Sequence, residues 1–135
     1  MKVKCLDDSA QPWIEELSLL GFTSTSVLDI NYHQVYEVYA MCLWGSVLCY
    51  LLEPSSDRPT WFPAVLFANV DSTMPANWHH AFWGRDRSVS IKAVWGFSEL
   101  VNDPHFFDAL SERTSQAMQV FRRRVAQQSA IEGHS

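Results

Sequence analysis

The side chains best suited to proton transfer are the adjacent pair His79 and His80. An unperturbed imidazole titrates near neutral pH, and with Asp71 or Glu99 nearby such a pair could supply the acid and base of an RNase-like or other hydrolytic site. The surrounding stretch, Trp78 to Trp83, reads as a strand, however, and neighbours in a strand project to opposite faces, so the two rings do not converge on one substrate. Surface or partly buried histidines are the preferred reading, and a small hydrolase using His79 or His80 is the minor alternative. His33, His105 and His134 have no metal-ligand spacing with one another or with Cys5, Cys42 and Cys49. There is no His-Glu-x-x-His, no Gly-x-Ser-x-Gly and no phosphate-cradling loop, and the chain has only five glycines. No enzyme activity, cofactor or metal is expected.

The remaining reactive groups have structural readings. Gly45-Ser46 is a two-residue hairpin signal between the apolar runs Val35 to Trp44 and Val47 to Leu52, a register that sets Trp44 opposite Val47 and Cys42 opposite Cys49. Three cysteines without a Cys-x-x-Cys indicate neither a disulfide framework nor a zinc knuckle. The opposed pair is read as two packed thiols in a reducing cytoplasm. Arg122-Arg123-Arg124 resembles a nucleic-acid patch only in isolation. In a chain of net charge -5 it is read as the basic end of a helix. Nucleic acid is a disfavoured partner, whereas a basic protein would be attracted.

The elements follow from punctuation and periodicity. Val3 to Leu6 reads as a short strand, Trp13 to Leu20 as a helical stretch stopped by Gly21, and Thr25 to Ile30 as a second strand before a turn at Asp29 to His33. The polar stretch Glu53 to Pro59 reads as a loop. Trp61-Phe62-Pro63 runs into a turn and a short strand, Phe67 to Val70, an order expected at the distal end of a small SH3-like β-barrel. Trp78 to Trp83 and Val89 to Val94 form a further hairpin. Asp103-Pro104 starts a helix, as N-cap and first-turn proline, and Ser111 is read as the cap of the next helix, whose stripe is Leu110, Thr114, Ala117, Met118, Phe121 and Val125. The acidic start at Glu112 and the basic end at Arg122 to Arg124 would complement its dipole. The fold class expected is mainly β with C-terminal α, in one domain: barrel 1–73, hairpin extension 74–95, helical cap 96–128, frayed tail 129–135. The apolar run from Val38 to Leu52 is too short for a membrane helix, and Met1 to Asp8 is too polar for a signal peptide, so a cytoplasmic, non-membrane protein is expected.

Six Trp, eight Phe and four Tyr exceed what a core of this size needs, which leaves aromatics for a partner. The long excursion after the first strand, the usual binding edge of an SH3-like barrel, carries Asp7, Asp8, Glu15 and Glu16 around Trp13. These residues read equally as a solvated acidic loop or as an aromatic anchor with a charged rim; on the second reading they form, with Trp44 and Asp57, the expected partner-binding set.

The segments Val35-Tyr36-Glu37-Val38, Val47 to Leu52, Trp61-Phe62-Pro63-Ala64-Val65-Leu66-Phe67 and Pro75-Ala76-Asn77-Trp78 together resemble a family of short bacterial SH3-like proteins. Gly96-Phe97 through Phe106-Phe107, and Ala117 to Phe121, resemble that family's helical end. The chain departs from the pattern at Val65, where an acidic residue is common, and in the length of its excursion. The resemblance implies an immunity protein that binds and neutralises a cognate bacterial toxin, a basic nuclease-type domain being the partner that the charge suggests. An SH3-like adaptor using a groove lined by Trp44, Trp61 or Trp83 is the alternative binding reading.

Overall fold

The computed structural model describes residues 1–84 and 90–132, with side chains through Ser129. It is mainly β, with eight strands in two antiparallel sheets followed by helices. A three-stranded sheet has the order β2 (Val35–Glu37), β1 (Lys2–Cys5), β6 (Phe67–Asp71). A five-stranded sheet has the order β5 (Arg58–Pro63), β4 (Val47–Ser55), β3 (Ala40–Trp44), β8 (Ile91–Gly96), β7 (His79–Phe82). The expected barrel is therefore not closed: β2 and β6 end one sheet and β5 and β7 end the other.

The Gly45-Ser46 hairpin has the expected register, Trp44 opposite Val47 and Cys42 opposite Cys49. Gly45 turns the chain at φ +60°, a conformation that costs glycine least. The run Val35 to Trp44 is divided, contrary to expectation. β2 ends at Glu37, and β3 begins at Ala40 in the other sheet, because the Val38 amide donates to the Met1 carbonyl while the Tyr39 amide donates to the Leu51 carbonyl. Thr25 to Ile30 is irregular rather than a strand, although Leu28 and Ile30 are buried. The expected loop Glu53 to Pro59 is mostly strand, closed by a tight turn with Asp57 at φ +63°. Pro54 is accommodated because the β4–β5 register shifts between Leu52 and Ser55. β5, a 3-10 turn at Ala64–Leu66 and β6 follow the expected order. In the second hairpin β7 pairs with β8, and β8 continues the large sheet beside β3; Val89 lies outside the described residues.

Period-2 alternation buries both faces of the five-stranded sheet. Met41, Tyr50, Leu52 and Phe62 join Val3, Cys5, Tyr36 and Phe67 in a core beneath the three-stranded sheet, sealed by Leu17 of α1 (Ile14–Leu19). Their neighbours Ala40, Cys42, Cys49, Leu51 and Trp61 point the other way, into a second core with Leu100 of α2 (Ser98–Asn102), Phe107 of α3 (Pro104–Ser111) and Phe121 of α4 (Ser115–Glu132).

Asp103 caps α3 as expected, its Oδ1 accepting from the His105 amide at 2.9 Å. The cap of α4 is Thr114, whose Oγ1 accepts from the Ala117 amide, and not Ser111, which ends α3 and donates to the Phe107 carbonyl. Glu112 and Arg113 thus lie outside α4. Arg122 to Arg124 occupy its middle, so the expected charge pattern along the helix dipole is absent. Helix α4 continues through Glu132, into the tail expected to fray from residue 129. The buried Gln128 holds it down, its Nε2 donating to Glu37 Oε1 at 2.8 Å and to the Val38 carbonyl at 3.1 Å.

Candidate functional site

The most concentrated aromatic feature at the surface is built around Phe107. This ring is 3% exposed and touches three indoles: Trp61 stacked at 5.2 Å, Trp83 edge-on at 5.9 Å and Trp44 edge-on at 6.4 Å. The parity of β3 aims Trp44 toward the helices, with Ala40 and Cys42. A register shift between β3 and β8 falls between Leu43 and Trp44, and bulges of this kind re-aim side chains at sheet ends. Trp83 follows β7 and is fixed by its amide, which donates to the Lys92 carbonyl at 2.7 Å. Trp44, Trp61 and Trp83, the three indoles expected of a binding groove, are therefore gathered from three separate strands or strand ends.

Two grooves open on either side of Trp44 and share Ser111 at their boundary. The first, about 420 Å³, has Trp44, Trp83 and Phe107 as its apolar wall and the carboxylates of Asp108 and Glu112 on its lining. Both acidic residues are exposed. The second, about 360 Å³, is walled by Trp44, Trp61 and Phe22 and carries Arg58 and Arg113. Arg113 sits at φ +56° in a Schellman turn: its amide donates to the Leu110 carbonyl and the Thr114 amide to that of Ala109. Glycine is the usual occupant of that position, and a side chain there costs about 1–2 kcal/mol.

The expected partner-binding residues do not form one cluster. Asp7 and Trp13 are brought together, but by bonding each other, the Trp13 indole N–H donating to Asp7 Oδ2 at 2.8 Å. Asp7 also accepts from the hydroxyl and amide of Ser9, and these three donors hold its carboxyl below the usual aspartate value. Trp13 is half-buried and packs on the first core. Asp8 and Glu15 are exposed, and Glu16 is half-buried beside them on α1. Asp57, in the β4–β5 turn, lies 3.1 Å from Arg122 Nε. Trp44 alone of the set lines the grooves. Asp108, Glu112 and Phe107 were missed because only the path of α3 across the sheet brings them to Trp44, and nothing in their spacing records it.

His79 and His80 are exposed on β7, opposite Gly96 and Trp95. Among the described residues no three His, Cys, Asp or Glu side chains converge as metal ligands. Cys42 and Cys49 are free and buried, and hydrogen bonding between the thiols together with burial pushes the Cys42 pKa far up. No helix among the described residues is long and apolar enough to cross a membrane. No family model matches the chain, and no curated protein or solved structure matches it either.

Proposed function

We propose that this chain is a non-enzymatic binding protein whose partner is a basic protein surface, and that it serves as an immunity protein occluding a cognate bacterial toxin. The observation that carries the binding reading is the groove of Trp44, Trp83 and Phe107 with Asp108 and Glu112 at its lip. Aromatic walls attract the face of a guanidinium or the stem of a lysine, and the two carboxylates complete a site for one cationic side chain. Trp and Tyr anchors ringed by charge are also the residues on which protein interfaces concentrate their energy. The exposed Asp8 and Glu15 add to the negative field that would accelerate encounter with a basic toxin. The toxin assignment itself rests on the resemblance, as does reading the two sheets as an opened, extended SH3-like barrel. Within that reading, β5, the 3-10 turn and β6 are the retained part.

The test is co-expression with the toxin domain encoded beside this gene. Growth rescue and a complex on gel filtration are expected, and Asp108→Lys with Glu112→Lys should weaken the complex at least about tenfold at low salt. Absence of both rescue and complex would sink the immunity reading. An adaptor would use the same three indoles, and is distinguished by recovery of an abundant housekeeping assembly in a pull-down that Trp44→Ala abolishes.

A further inference from the structure

The five described arginines fall into two sets. Those of α4 all meet carboxylates: Arg122 Nη1 is 2.8 Å from Glu53 Oε1, Arg123 Nη2 is 3.4 Å from Glu99 Oε2, and Arg124 Nη2 is 2.6 Å from Glu99 Oε1. Arg58 and Arg113 meet no carboxylate among the described residues, and both stand exposed at the second groove. Thr60 ties them together. Its hydroxyl donates to the Arg58 carbonyl at 3.1 Å and accepts from Arg113 Nη2 at 3.4 Å. Arg113 thus brings its guanidinium to the groove from a left-handed turn position that glycine would hold without strain.

The charge of the groove defines the ligand. Two guanidiniums and one carboxylate line it, and that carboxylate, Asp29, already accepts a hydrogen bond from the Ser55 hydroxyl. The lining therefore carries one net positive charge, in a protein whose overall field is negative. A monoanion is matched, and a phosphate dianion is opposed by both Asp29 and the net charge. Guanidinium forks suit a carboxylate in particular, through paired, charge-assisted hydrogen bonds. The Trp44, Trp61 and Phe22 walls call for an apolar, ring-sized body, and the volume of about 360 Å³ lies at the small end of ligand sites.

We propose that the groove between Trp44, Trp61 and Arg113 binds a small monocarboxylate with an aromatic or branched apolar body. The carboxylate sits between Arg58 and Arg113 and the body packs against the two indoles. The site shares Trp44 and Ser111 with the acidic groove but none of its carboxylates, so its charge preference is tested independently of the toxin reading.

Phenylpropanoate and its neutral analogue phenylpropanamide are the probes, titrated into the whole chain by calorimetry and by following the indole N–H resonances of Trp44 and Trp61. The acid should bind in the submillimolar range, shift both resonances and exceed the amide by at least about tenfold. Arg113→Gly should erase that preference without unfolding the protein, because glycine is at ease at this backbone position. Arg58→Gln should erode it as well, while Lys2→Gln, which removes an exposed cation outside the groove, leaves it unchanged. Equal binding of acid and amide, no binding of the acid, or an unchanged preference in Arg113→Gly would overturn the site. Stronger competition by inorganic phosphate than by the acid would overturn the monocarboxylate assignment.

Discussion

Both faces of the five-stranded sheet are covered along β3, β4 and β5, but they are finished differently. On the side of the three-stranded sheet the ring contacts gather on the buried Phe62 and Phe67. Phe62 meets Phe22 and Phe67, and Tyr36 and Tyr50 both pack on Phe67. Burial raises the pKa of both phenols, yet each has a partner: the Tyr36 hydroxyl accepts from the Asn31 amide at 2.8 Å, and that of Tyr50 donates to Asn69 Oδ1 at 3.5 Å. Against the helices the aromatic contacts instead run outward, from buried Phe107 to the half-buried Trp44 and Trp83 that wall the grooves. A sheet covered on both sides has little surface of its own to offer. The two grooves open where the helical layer stops short, at the Trp44 end of β3.

Two core truncations should break this contrast most visibly. Phe62→Ala and Phe107→Ala each remove a buried ring, and each should cost about 3–5 kcal/mol in urea unfolding. The folded fraction of Phe62→Ala should retain partner binding, whereas Phe107→Ala, which removes the ring joining three indoles, should lose it. Both variants should unfold in one transition, since alternate residues of the same strands supply both cores. Two separate transitions would mean that the faces are independent units.

Legibility in the sequence followed how local the determining chemistry is. The Gly45-Ser46 turn sets its own register, so the Cys42–Cys49 pairing could be read directly. The Asp103-Pro104 start of α3 was equally local. The division of Val35 to Trp44 was not, because continuous β propensity looks the same whether a run stays in one sheet or crosses between two. Thr25 to Ile30 has strand composition, and its buried Leu28 and Ile30 satisfy the hydrophobic pattern without any ladder. Trp44, expected in the partner-binding set, lines both grooves. Phe107, Asp108 and Glu112 depend on where a helix lies across a sheet, and the left-handed backbone of Arg113 leaves no trace in residue type at all.

A second, smaller effect is expected where α4 is fastened to the strands beneath it. Gln128 is buried and reaches Glu37, the Val38 carbonyl and, through Oε1 at 3.4 Å, the Trp78 indole N–H. Gln128→Ala should cost about 1–3 kcal/mol, since buried partners lose hydrogen bonds that water cannot readily replace. Hydrogen exchange should show the loss concentrated in the last turns of α4, with amides of the three-stranded sheet protected as before. Uniform loss of protection would show that Gln128 supports the whole fold rather than one layer.

The smallest effect separates the two layers by pH. On the helical side Glu99 is subject to burial, which raises its pKa, but hydrogen bonds from Arg124 and Ser98 and the Arg124 charge outweigh this and lower it from the ordinary 4.5. On the other side Asp7 is lowered by Ser9 and Trp13, within its own loop. For both groups the folded-state pKa lies below the unfolded one. Their stabilisation is therefore full above the ordinary carboxylate range and lost as pH falls through the folded value. Glu99→Gln should lower stability at neutral pH by less than about 1 kcal/mol, because the ion pair is partly exposed. The gap from the parent should close as the melting temperature is followed down from about pH 5 into the acid range. Asp7→Asn should close its gap lower in pH, because an aspartate starts from the lower ordinary value of 3.8. Since the Glu99 pair joins α2 to α4 whereas Asp7 bonds only its own loop, Glu99→Gln should also loosen the amides of α4, and Asp7→Asn should leave them untouched.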